Sequence, residues 1–295
     1  MDASAGTGLP LLAISIVTLL WAGNFTAGKL ATDEIHPFLI AGIRVVIAGV
    51  VFPLFLPRGT LRELASGAIW RKLLPLALTG IFVNQFAFAA GIKITSPSHS
   101  ALVHALIPIF VVIIAWIFLR EKAGPWTLGG MALAIAGGVW LALGQSSAER
   151  DATWVGDLLT LLGAVAFSAY AVIGRRVTPE VGSYKAVALG FLMAIPLSLP
   201  LLGWGVVQQD WHAVTWKGLA GLGYMIVAGT FICYSLHMWS VSRLGALRVS
   251  VFTNFQPILG TLIGLGFGVD RVTLRFVVAG AVILAGVAIV QLAKR

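Results

Sequence analysis

The chain has 295 residues, of which 59% are hydrophobic and only 11% are charged. A soluble domain carries roughly 25% charged residues, so this chain has too few polar groups to cover a water-facing surface, and lipid must be the solvent for most of it. The net charge of +9 does not indicate nucleic acid as a partner, because the basic residues stand in short gaps between apolar runs and not on one polar face.

Ten apolar stretches of roughly 20 residues follow one another along the chain, and each is long enough to cross the hydrocarbon core of a bilayer. The gaps between them are short, which makes successive helices antiparallel neighbours. None of the gaps is long enough for a soluble domain. We predict membrane helices near 10–30, 38–57, 73–92, 98–118, 126–144, 155–175, 184–203, 217–240, 247–268 and 274–293.

The loops between these stretches carry an uneven charge. With the N-terminus inside, thirteen Lys and Arg residues fall on the cytoplasmic side and five on the opposite side. This bias follows the positive-inside rule and predicts that both termini lie in the cytoplasm of a bacterium, with the chain in its inner membrane. The N-terminus has no basic segment before its first apolar stretch, so we expect the first helix to remain in the mature protein.

The second half of the chain repeats the first. A shift of 149 residues brings Gly80 onto Gly229 without a gap, and a shift of 146 residues brings Trp21 onto Phe167. Because each half holds five helices, an odd number, the second copy must enter the membrane upside down. Inverted repeats are a recurring architecture of secondary transporters, with the substrate site near the midplane between the halves. We therefore predict an all-α membrane protein of ten transmembrane helices in two inverted five-helix repeats, at 1–146 and 147–295.

All eleven acidic residues fall in a loop or at a helix end. A carboxylate inside the membrane is what a proton-coupled exporter of organic cations would use, so its absence argues against that class and against an aspartyl intramembrane protease. The single cysteine, Cys233, excludes an internal disulfide and any multi-cysteine metal site. We expect neither a metal nor a cofactor.

Neutral polar and aromatic residues stand on matching faces of the two halves. The first and sixth helices carry one matching set, and the third and eighth helices carry another. For one residue alone, hydrogen bonding between helices and lining of a cavity are equally good interpretations, but recurrence in both halves favours a cavity for the group. The predicted substrate-contacting residues are Trp21, Asn24, Asn84, Gln85, Phe88, His104, Phe167, Tyr170, Tyr234, His237, Thr253 and Asn254.

The fourth and ninth helices each contain a proline in mid-helix, Pro108 and Pro257. Proline removes the hydrogen bond to the carbonyl four residues earlier, which leaves the carbonyls of His104 and Thr253 free. These positions are either structural kinks or direct contacts to the substrate, and a kink beside a substrate path would also serve as a gating point. A histidine such as His104 could also carry a proton, although a membrane histidine is more often only hydrogen-bonded.

Two basic residues fall inside predicted helices. We place Lys29 and Arg44 near the outer ends of the first and second helices, where they extend to the interface or pair with Asp33 or Glu34. A close helix-packing face is predicted in the ninth helix by a double GxxxG pattern, formed by Gly260, Gly264 and Gly268.

The segment WAGNFTAGKL at 21–30 resembles the Trp-Gly-x-Asn-Phe segment of the EamA-type family of the drug/metabolite transporter superfamily. Arg44 matches a recurrent arginine of that family's second helix, and 94–122 resembles its fourth helix, with a proline in the middle and a Glu-Lys exit. The second copy departs from the pattern, with Asp270 in place of the more usual Glu. The resemblance implies ten helices around a central cavity built from the first, third, fourth, sixth, eighth and ninth helices.

The resemblance also implies export of amino acids or related metabolites, and one member type is the YddG-like exporter of aromatic and other amino acids. We predict an exporter of small neutral or zwitterionic metabolites by alternating access, with small-molecule substrate and membrane lipid as partners. Amides, hydroxyls and freed carbonyls would bind both ends of a zwitterion without a fixed charge. The oligomeric state stays open, and a monomer is compatible with the sequence.

Two alternatives remain at this point. One is efflux of another metabolite or of a drug. The other is an intramembrane enzyme, for which Ser100 and His104 are the nearest pair of nucleophile and base, although the chain contains no nucleophile-elbow motif.

Overall fold

The computed structural model describes residues 8–57, 59–60, 67–119, 124–143, 154–268 and 272–293. Within these ranges the chain forms ten long helices and one short 3-10 helix, Trp211–Ala213, and it contains no strand. The predicted all-α membrane fold is confirmed. The helices are α1 Gly8–Glu34, α2 Pro37–Leu54, α3 67–94, α4 97–119, α5 Pro125–Leu143, α6 Trp154–Val181, α7 Ser183–Gln208, α8 Trp216–Leu244, α9 246–266 and α10 Leu274–Ala293.

Seven of the described helices are long and apolar enough to cross a membrane by length and composition. Two further apolar helices, Gln256–Gly266 and Leu274–Ile289, are shorter. The predicted boundary between the repeats, at 146/147, lies outside the described residues. So do several charged residues that entered the predictions, namely Asp2, Arg58, Arg62, Glu63, Arg120, Glu121, Lys122, Glu149, Arg150, Asp151, Asp270, Arg271, Lys294 and Arg295.

A π-helical segment interrupts both α3 and α8. In α3 it covers Ala77–Val83, between the α-helical parts Gly67–Leu76 and Asn84–Ile94. In α8 it covers Val227–Ile232, between Trp216–Ile226 and Cys233–Leu244. The two segments occupy corresponding places in the repeats, since each contains one glycine of the Gly80–Gly229 pair. π-helical segments are rare in proteins, and those that occur are often found at functional sites.

The two helices with central prolines are also interrupted. The α-helical parts of α4 are Pro97–His104 and Ile107–Leu119, and those of α9 are Ala246–Ser250 and Gln256–Gly266, joined by a 3-10 segment. Each interruption lies immediately before the proline, because a proline lacks the N–H for a helical bond and its ring collides with the preceding turn. Pro108 and Pro257 therefore lie at breaks in the backbone, where the sequence predicts kinks.

Equivalent helices of the two repeats pack against each other, α2 against α7 and α5 against α10. Glycines allow the close approach. A methyl group at Gly205 in α7 would lie 2.5 Å from the backbone nitrogen of Leu39 in α2, and one at Gly286 in α10 would lie 2.5 Å from the nitrogen of Ala134 in α5. Small residues let membrane helices approach closely, so these pairs supply much of the contact between the repeats.

The predicted packing face in α9 is present in part: Gly260 and Gly264 are buried and the helix packs against α1, but Gly268 lies outside the helix. A methyl group at Gly260 would meet the Ala22 carbonyl oxygen at 3.5 Å, an ordinary van der Waals distance. The helix ends at Gly266, and Gly268 beyond it has a φ of +66°. That conformation favours glycine for the turn and not for packing between helices.

The α2–α7 contact predicts a large difference between two neighbouring glycines. We expect Gly205→Leu to lower the thermal unfolding midpoint in detergent, in keeping with an overpacking cost of about 3 kcal/mol. Gly203→Leu is the matched control, because a methyl group at Gly203 meets no atom within 4 Å. Fluorescence-detected unfolding of both purified variants measures the difference, and equal midpoints would contradict the packing described here.

Candidate functional site

A narrow cavity of about 50 Å³ lies where the two repeats meet. Pockets that hold small molecules are typically about 300–1,000 Å³, so this cavity must widen before it can hold a metabolite. Side chains from α1, α3, α4, α6, α8 and α9 line it, as the resemblance implies, and α2 adds one more. The lining residues are Trp21, Asn24, Phe25, Arg44, Asn84, Gln85, Phe88, His104, Ile107, Phe167, Tyr234 and Gln256.

The structure brings eight of the twelve predicted residues together around this cavity, namely Trp21, Asn24, Asn84, Gln85, Phe88, His104, Phe167 and Tyr234. Tyr170 and His237 lie behind the lining, where both are buried and contact its aromatic rings. Asn254 lies in the 3-10 segment of α9 and does not line the cavity. The side chain of Thr253 is outside the described residues.

Gln85 and Tyr234 mark the axis that relates the two repeats. They are 149 residues apart, the spacing of the repeat, and Gln85 Nε2 donates a hydrogen bond of 3.3 Å to the Tyr234 hydroxyl. Residues related by a two-fold axis touch each other only when they lie beside that axis. A second equivalent pair, Trp21 and Phe167, makes an edge-to-face contact with ring centroids 5.2 Å apart. The cavity is therefore centred on the axis.

The Tyr234 hydroxyl joins α8 to α3. Its oxygen lies 2.8 Å from the carbonyl oxygen of Gly80, in the π-helical segment, and 3.0 Å from Asn84 Oδ1. Asn84 Nδ2 in turn donates to the Gly163 carbonyl in α6 at 3.0 Å. These contacts hold helices together, so Asn84 and Tyr234 have a packing role in addition to their place in the cavity wall.

Gly229, the equivalent of Gly80 in the second repeat, also accepts a hydrogen bond from an aromatic side chain. Trp21 Nε1 in α1 donates a hydrogen bond of 3.1 Å to the carbonyl oxygen of Gly229. Each π-helical segment thus presents a glycine carbonyl that accepts from an aromatic side chain of the other repeat. A π-helical turn exposes carbonyl groups that an α-helix would bond internally, and these side chains satisfy them.

Aromatic rings form one wall of the cavity and the layer behind it. Trp21 and His237 have ring centroids 5.2 Å apart, and Phe167 and His237 are 4.8 Å apart. Tyr234 packs against Tyr170 at 5.8 Å. Aromatic faces carry partial negative charge and attract both apolar groups and cations, so this wall suits an aromatic side chain or an ammonium group.

The predicted position of Arg44 near the outer end of the second helix is wrong. Arg44 is only 2% exposed and lines the central cavity. Its Nε donates a 3.0 Å hydrogen bond to Thr230 Oγ1 in α8, and its Nη1 has no hydrogen-bond partner. Lys29 does pair with Asp33 at 3.5 Å, as the sequence suggests. The cavity therefore contains a fixed positive charge, which corrects the prediction of an interior without one.

Sequence reasoning missed four lining residues, Phe25, Arg44, Ile107 and Gln256. Gln256 could have been found from the sequence, because it is a polar side chain in an apolar stretch directly before Pro257. In the structure it is 2% exposed. Phe25 and Ile107 are apolar residues in apolar helices and give no signal of their own.

The acidic residues of the described chain lie away from the cavity. Asp157 is the most buried of them, at 9% exposure in the first turn of α6. Its Oδ1 accepts from Thr95 Oγ1 at 2.6 Å, and its Oδ2 lies 3.5 Å from His99 Nδ1. Among the described residues, no group of three or more His, Cys, Asp or Glu could hold a metal ion.

Ser100 and His104 do not form the nucleophile–base pair that an enzyme would need. The Nδ1 atom of His104 lies 2.9 Å from the carbonyl oxygen of Ser100, not from its hydroxyl. The Ser100 hydroxyl instead lies 3.3 Å from Thr160 Oγ1. His104 packs its ring against Phe25 and Phe88, with centroids 5.2 and 5.6 Å away.

Known proteins resemble this chain over nearly its whole length. An uncharacterized transporter of Archaeoglobus fulgidus is 25% identical, with 94% of this chain and 95% of that protein covered. The uncharacterized inner membrane transporter YedA of Escherichia coli (strain K12) is 23% identical, over 97% and 92%. A protein of Chlamydia trachomatis named as an S-adenosylmethionine/S-adenosylhomocysteine transporter is 24% identical, over 87% and 81%.

A solved structure and a family profile both match the chain over nearly its whole length. One crystal structure, of a chain 22% identical, superposes with a TM-score of 0.66 and covers 100% of this chain and 99% of that one. The sequence profile of the EamA-like transporter family matches residues 8–143 and again 154–292, once for each repeat. The chain therefore belongs to the EamA-like transporter family and is a multi-pass membrane transporter.

Proposed function

We propose that this transporter exports small zwitterionic metabolites, above all aromatic and other neutral amino acids, by alternating access through the central cavity. The contact between Gln85 and Tyr234 carries this proposal, because it places the cavity on the axis between the repeats. A site on that axis has equivalent surroundings toward both sides of the membrane. Rocking one repeat against the other then exposes the same site to each side in turn.

The substrate class follows from the chemistry of the cavity wall. The rings of Trp21 and Phe167 offer an apolar face to the side chain of an aromatic amino acid. Asn24 Oδ1 is buried without a hydrogen-bond partner, so it is available to a donor on the substrate. The predicted substrate contacts that line the cavity are carried into this proposal, and Tyr170 and His237 support them from behind.

The interrupted helices are the proposed moving parts. Pro108 and Pro257 lie at breaks in α4 and α9, and the π-helical segments lie in α3 and α8. Backbone that is not fully hydrogen-bonded within its helix bends at low cost when neighbouring groups satisfy it. All four of these helices line the cavity, so bending at the breaks would open or close it.

A second candidate is the efflux of a larger metabolite with an amino acid end, the kind of compound for which the chlamydial relative is named as a transporter. The aromatic wall favours this reading as well, because an adenine ring stacks on aromatic side chains. One experiment tests both candidate functions.

The experiment is flux of radiolabelled compounds into proteoliposomes that contain the purified protein. The panel holds the twenty amino acids and S-adenosylmethionine, each measured with and without an imposed proton gradient. Saturable uptake of phenylalanine or tryptophan supports the main proposal. Saturable uptake of S-adenosylmethionine alone favours the second candidate, and no uptake of any compound above empty liposomes contradicts both.

The same assay tests how transport is driven. We propose facilitated export down the gradient of the metabolite, because the described acids lie outside the cavity. Facilitated transport equilibrates the two sides and cannot accumulate substrate. Uphill accumulation that collapses with a protonophore contradicts this proposal and directs attention to the Asp157–His99 pair, which Asp157→Asn would then remove.

The proposed orientation, with both termini in the cytoplasm of the inner membrane, gives a separate prediction. In a Cys233→Ala background, a membrane-impermeant thiol reagent added to whole cells should label a cysteine at Gln208 and not one at Ser66. Gln208 is exposed at the end of α7, and Cys233 is buried. Labelling at 66 and not at 208 would reverse the orientation.

A further inference from the structure

The central cavity holds a positive charge that has no counter-ion among the described residues. The guanidinium of Arg44 stays protonated at physiological pH. A buried charge without a partner is costly and marks a functional site in a membrane protein. Each described acid has its own contact elsewhere, namely Asp33 with Lys29, Glu34 with Thr215, Asp157 with Thr95, Glu180 with Lys72, and Asp210 with the His212 backbone nitrogen.

One hydrogen bond fixes the guanidinium and leaves part of it free. Arg44 Nε donates to Thr230 Oγ1 at 3.0 Å, and Thr230 Oγ1 donates to the Met225 carbonyl at 2.9 Å. Because Thr230 is anchored in this way, its oxygen is directed toward the arginine. Nη1 of Arg44 is buried and has no hydrogen-bond partner. A guanidinium with a free edge binds a carboxylate through two parallel hydrogen bonds.

An unpartnered acceptor lies near the same guanidinium group. Asn24 Oδ1 in α1 is buried and bonds to nothing. A methyl group at Gly229 would overlap Asn24 Oδ1 and would lie 3.5 Å from Arg44 Nη2, so Asn24 and Arg44 both lie beside the backbone of Gly229. A donor with positive charge next to an amide oxygen is complementary to a carboxylate next to an ammonium group.

We propose that Arg44 binds the carboxylate of the substrate and that Asn24 Oδ1 accepts a hydrogen bond from its ammonium group. This inference rests on the proposed function and deepens it, because it restricts the substrates to carboxylates. Amines without a carboxylate are repelled by the arginine. Thr230 is the positioning residue that holds the guanidinium in place.

The test compares three probes that differ only at the two ends of the zwitterion. They are L-phenylalanine, L-phenylalaninamide, which lacks the carboxylate, and 3-phenylpropionate, which lacks the ammonium group. Binding to the full-length protein in detergent is measured by titration calorimetry. We expect phenylalaninamide to bind about 30-fold more weakly than phenylalanine, and 3-phenylpropionate to bind with intermediate affinity, since a charge-assisted hydrogen bond is among the strong polar contacts.

Substitutions at Arg44 then test whether this residue causes the difference in affinity between phenylalanine and phenylalaninamide. Arg44→Gln should weaken phenylalanine binding about 30-fold and leave phenylalaninamide binding unchanged or stronger. Arg44→Lys keeps the charge but cannot form two parallel hydrogen bonds, so its affinity for phenylalanine should lie between those of the wild type and Arg44→Gln. The matched control is Lys72→Gln, which removes one positive charge from the exposed pair with Glu180 and should leave all three affinities unchanged.

Two results would overturn the inference. One is a wild-type protein that binds the amide as tightly as phenylalanine. The other is an Arg44→Gln variant that loses affinity for both probes equally, as a purely structural arginine would. A different result would contradict the proposed function and leave the carboxylate site intact. If 3-phenylpropionate binds in an Arg44-dependent manner and phenylalanine is neither bound nor transported, the carboxylate site stands and the amino acid substrate is wrong.

Discussion

Tyr234→Phe is expected to reduce phenylalanine flux at least tenfold while most of the protein remains folded. The substitution keeps the ring, which packs against Phe191 at 5.0 Å. It removes the hydroxyl that contacts the Gly80 carbonyl, Asn84 Oδ1 and Gln85 Nε2. Leaving buried polar groups unsatisfied costs about 1–3 kcal/mol, so a moderate loss of stability accompanies the change.

The larger effect on flux comes from the position of the hydroxyl. It lies on the axis between the repeats, where alternating access requires the two halves to move against each other. Because the hydroxyl joins the two repeats, its loss changes the free energy of this conformation relative to the others in the transport cycle, and a change of about 1.4 kcal/mol is a tenfold change in population. Tyr234 also borders the substrate cavity, so binding is weakened directly.

Tyr224→Phe is the control for this experiment. Tyr224 also lies in α8, and its hydroxyl donates to the Leu20 carbonyl in α1 at 2.8 Å, outside the central cavity. Flux is measured in proteoliposomes and divided by the amount of folded protein, which thermal unfolding reports. If both variants lose flux in proportion to stability, Tyr234 serves only to hold the helices together.

The sequence was sufficient to predict the architecture and most of the cavity. Amides and phenols are conspicuous in apolar helices, and the 149-residue shift relates Gln85 directly to Tyr234. The polar members of the site could therefore be found by pattern. Phe25 could not, because its ring contacts His104 in another helix and nothing in its own helix indicates that direction.

Arg44 shows what a pattern cannot resolve. It lies seven residues after Pro37, the first residue of α2, which corresponds to a depth of about 10 Å at 1.5 Å per residue. From that depth an arginine can extend outward to the interface or turn inward to the cavity. The inward direction is set by Thr230, which is 186 residues away in sequence and belongs to the other repeat.

The π-helical segments were equally hidden. Ala77–Val83 and Val227–Ile232 continue the apolar character of their helices, and one additional residue per turn leaves no mark on composition. The helix ends differ for a simpler reason. α1 and α6 extend past the predicted ends at 30 and 175, to Glu34 and Val181, because polar residues continue the helix beyond the hydrocarbon core.

The glycines of the two π-helical segments face different neighbours, although they are equivalent in the repeat. A methyl group at Gly80 would overlap the ring and Cβ of Tyr170, which is fully buried. These atoms are close to the backbone of α6 and cannot move without moving the helix. A methyl group at Gly229 would overlap Asn24 Oδ1, the far end of a side chain that can rotate away.

The two substitutions should therefore separate folding from transport. We expect Gly80→Ala to lower the stability by about 3 kcal/mol, as overpacking of a rigid site does, and to lower flux through loss of folded protein. Gly229→Ala should change stability by less than about 1 kcal/mol, because only the end of the Asn24 side chain must move. It should still reduce flux about tenfold, since the methyl group displaces Asn24 Oδ1 from its position near Arg44.

Gly223→Ala, in the same helix as Gly229, is the control, because a methyl group there meets no atom within 4 Å. Thermal unfolding in one detergent gives the stability of the three variants, and phenylalanine flux per folded molecule gives their activity. Gly223→Ala should match the wild type in both measurements. A Gly229→Ala variant with wild-type flux would mean that the space beside Asn24 is not on the substrate path, and the cavity would then have to bind its substrate through the aromatic wall alone.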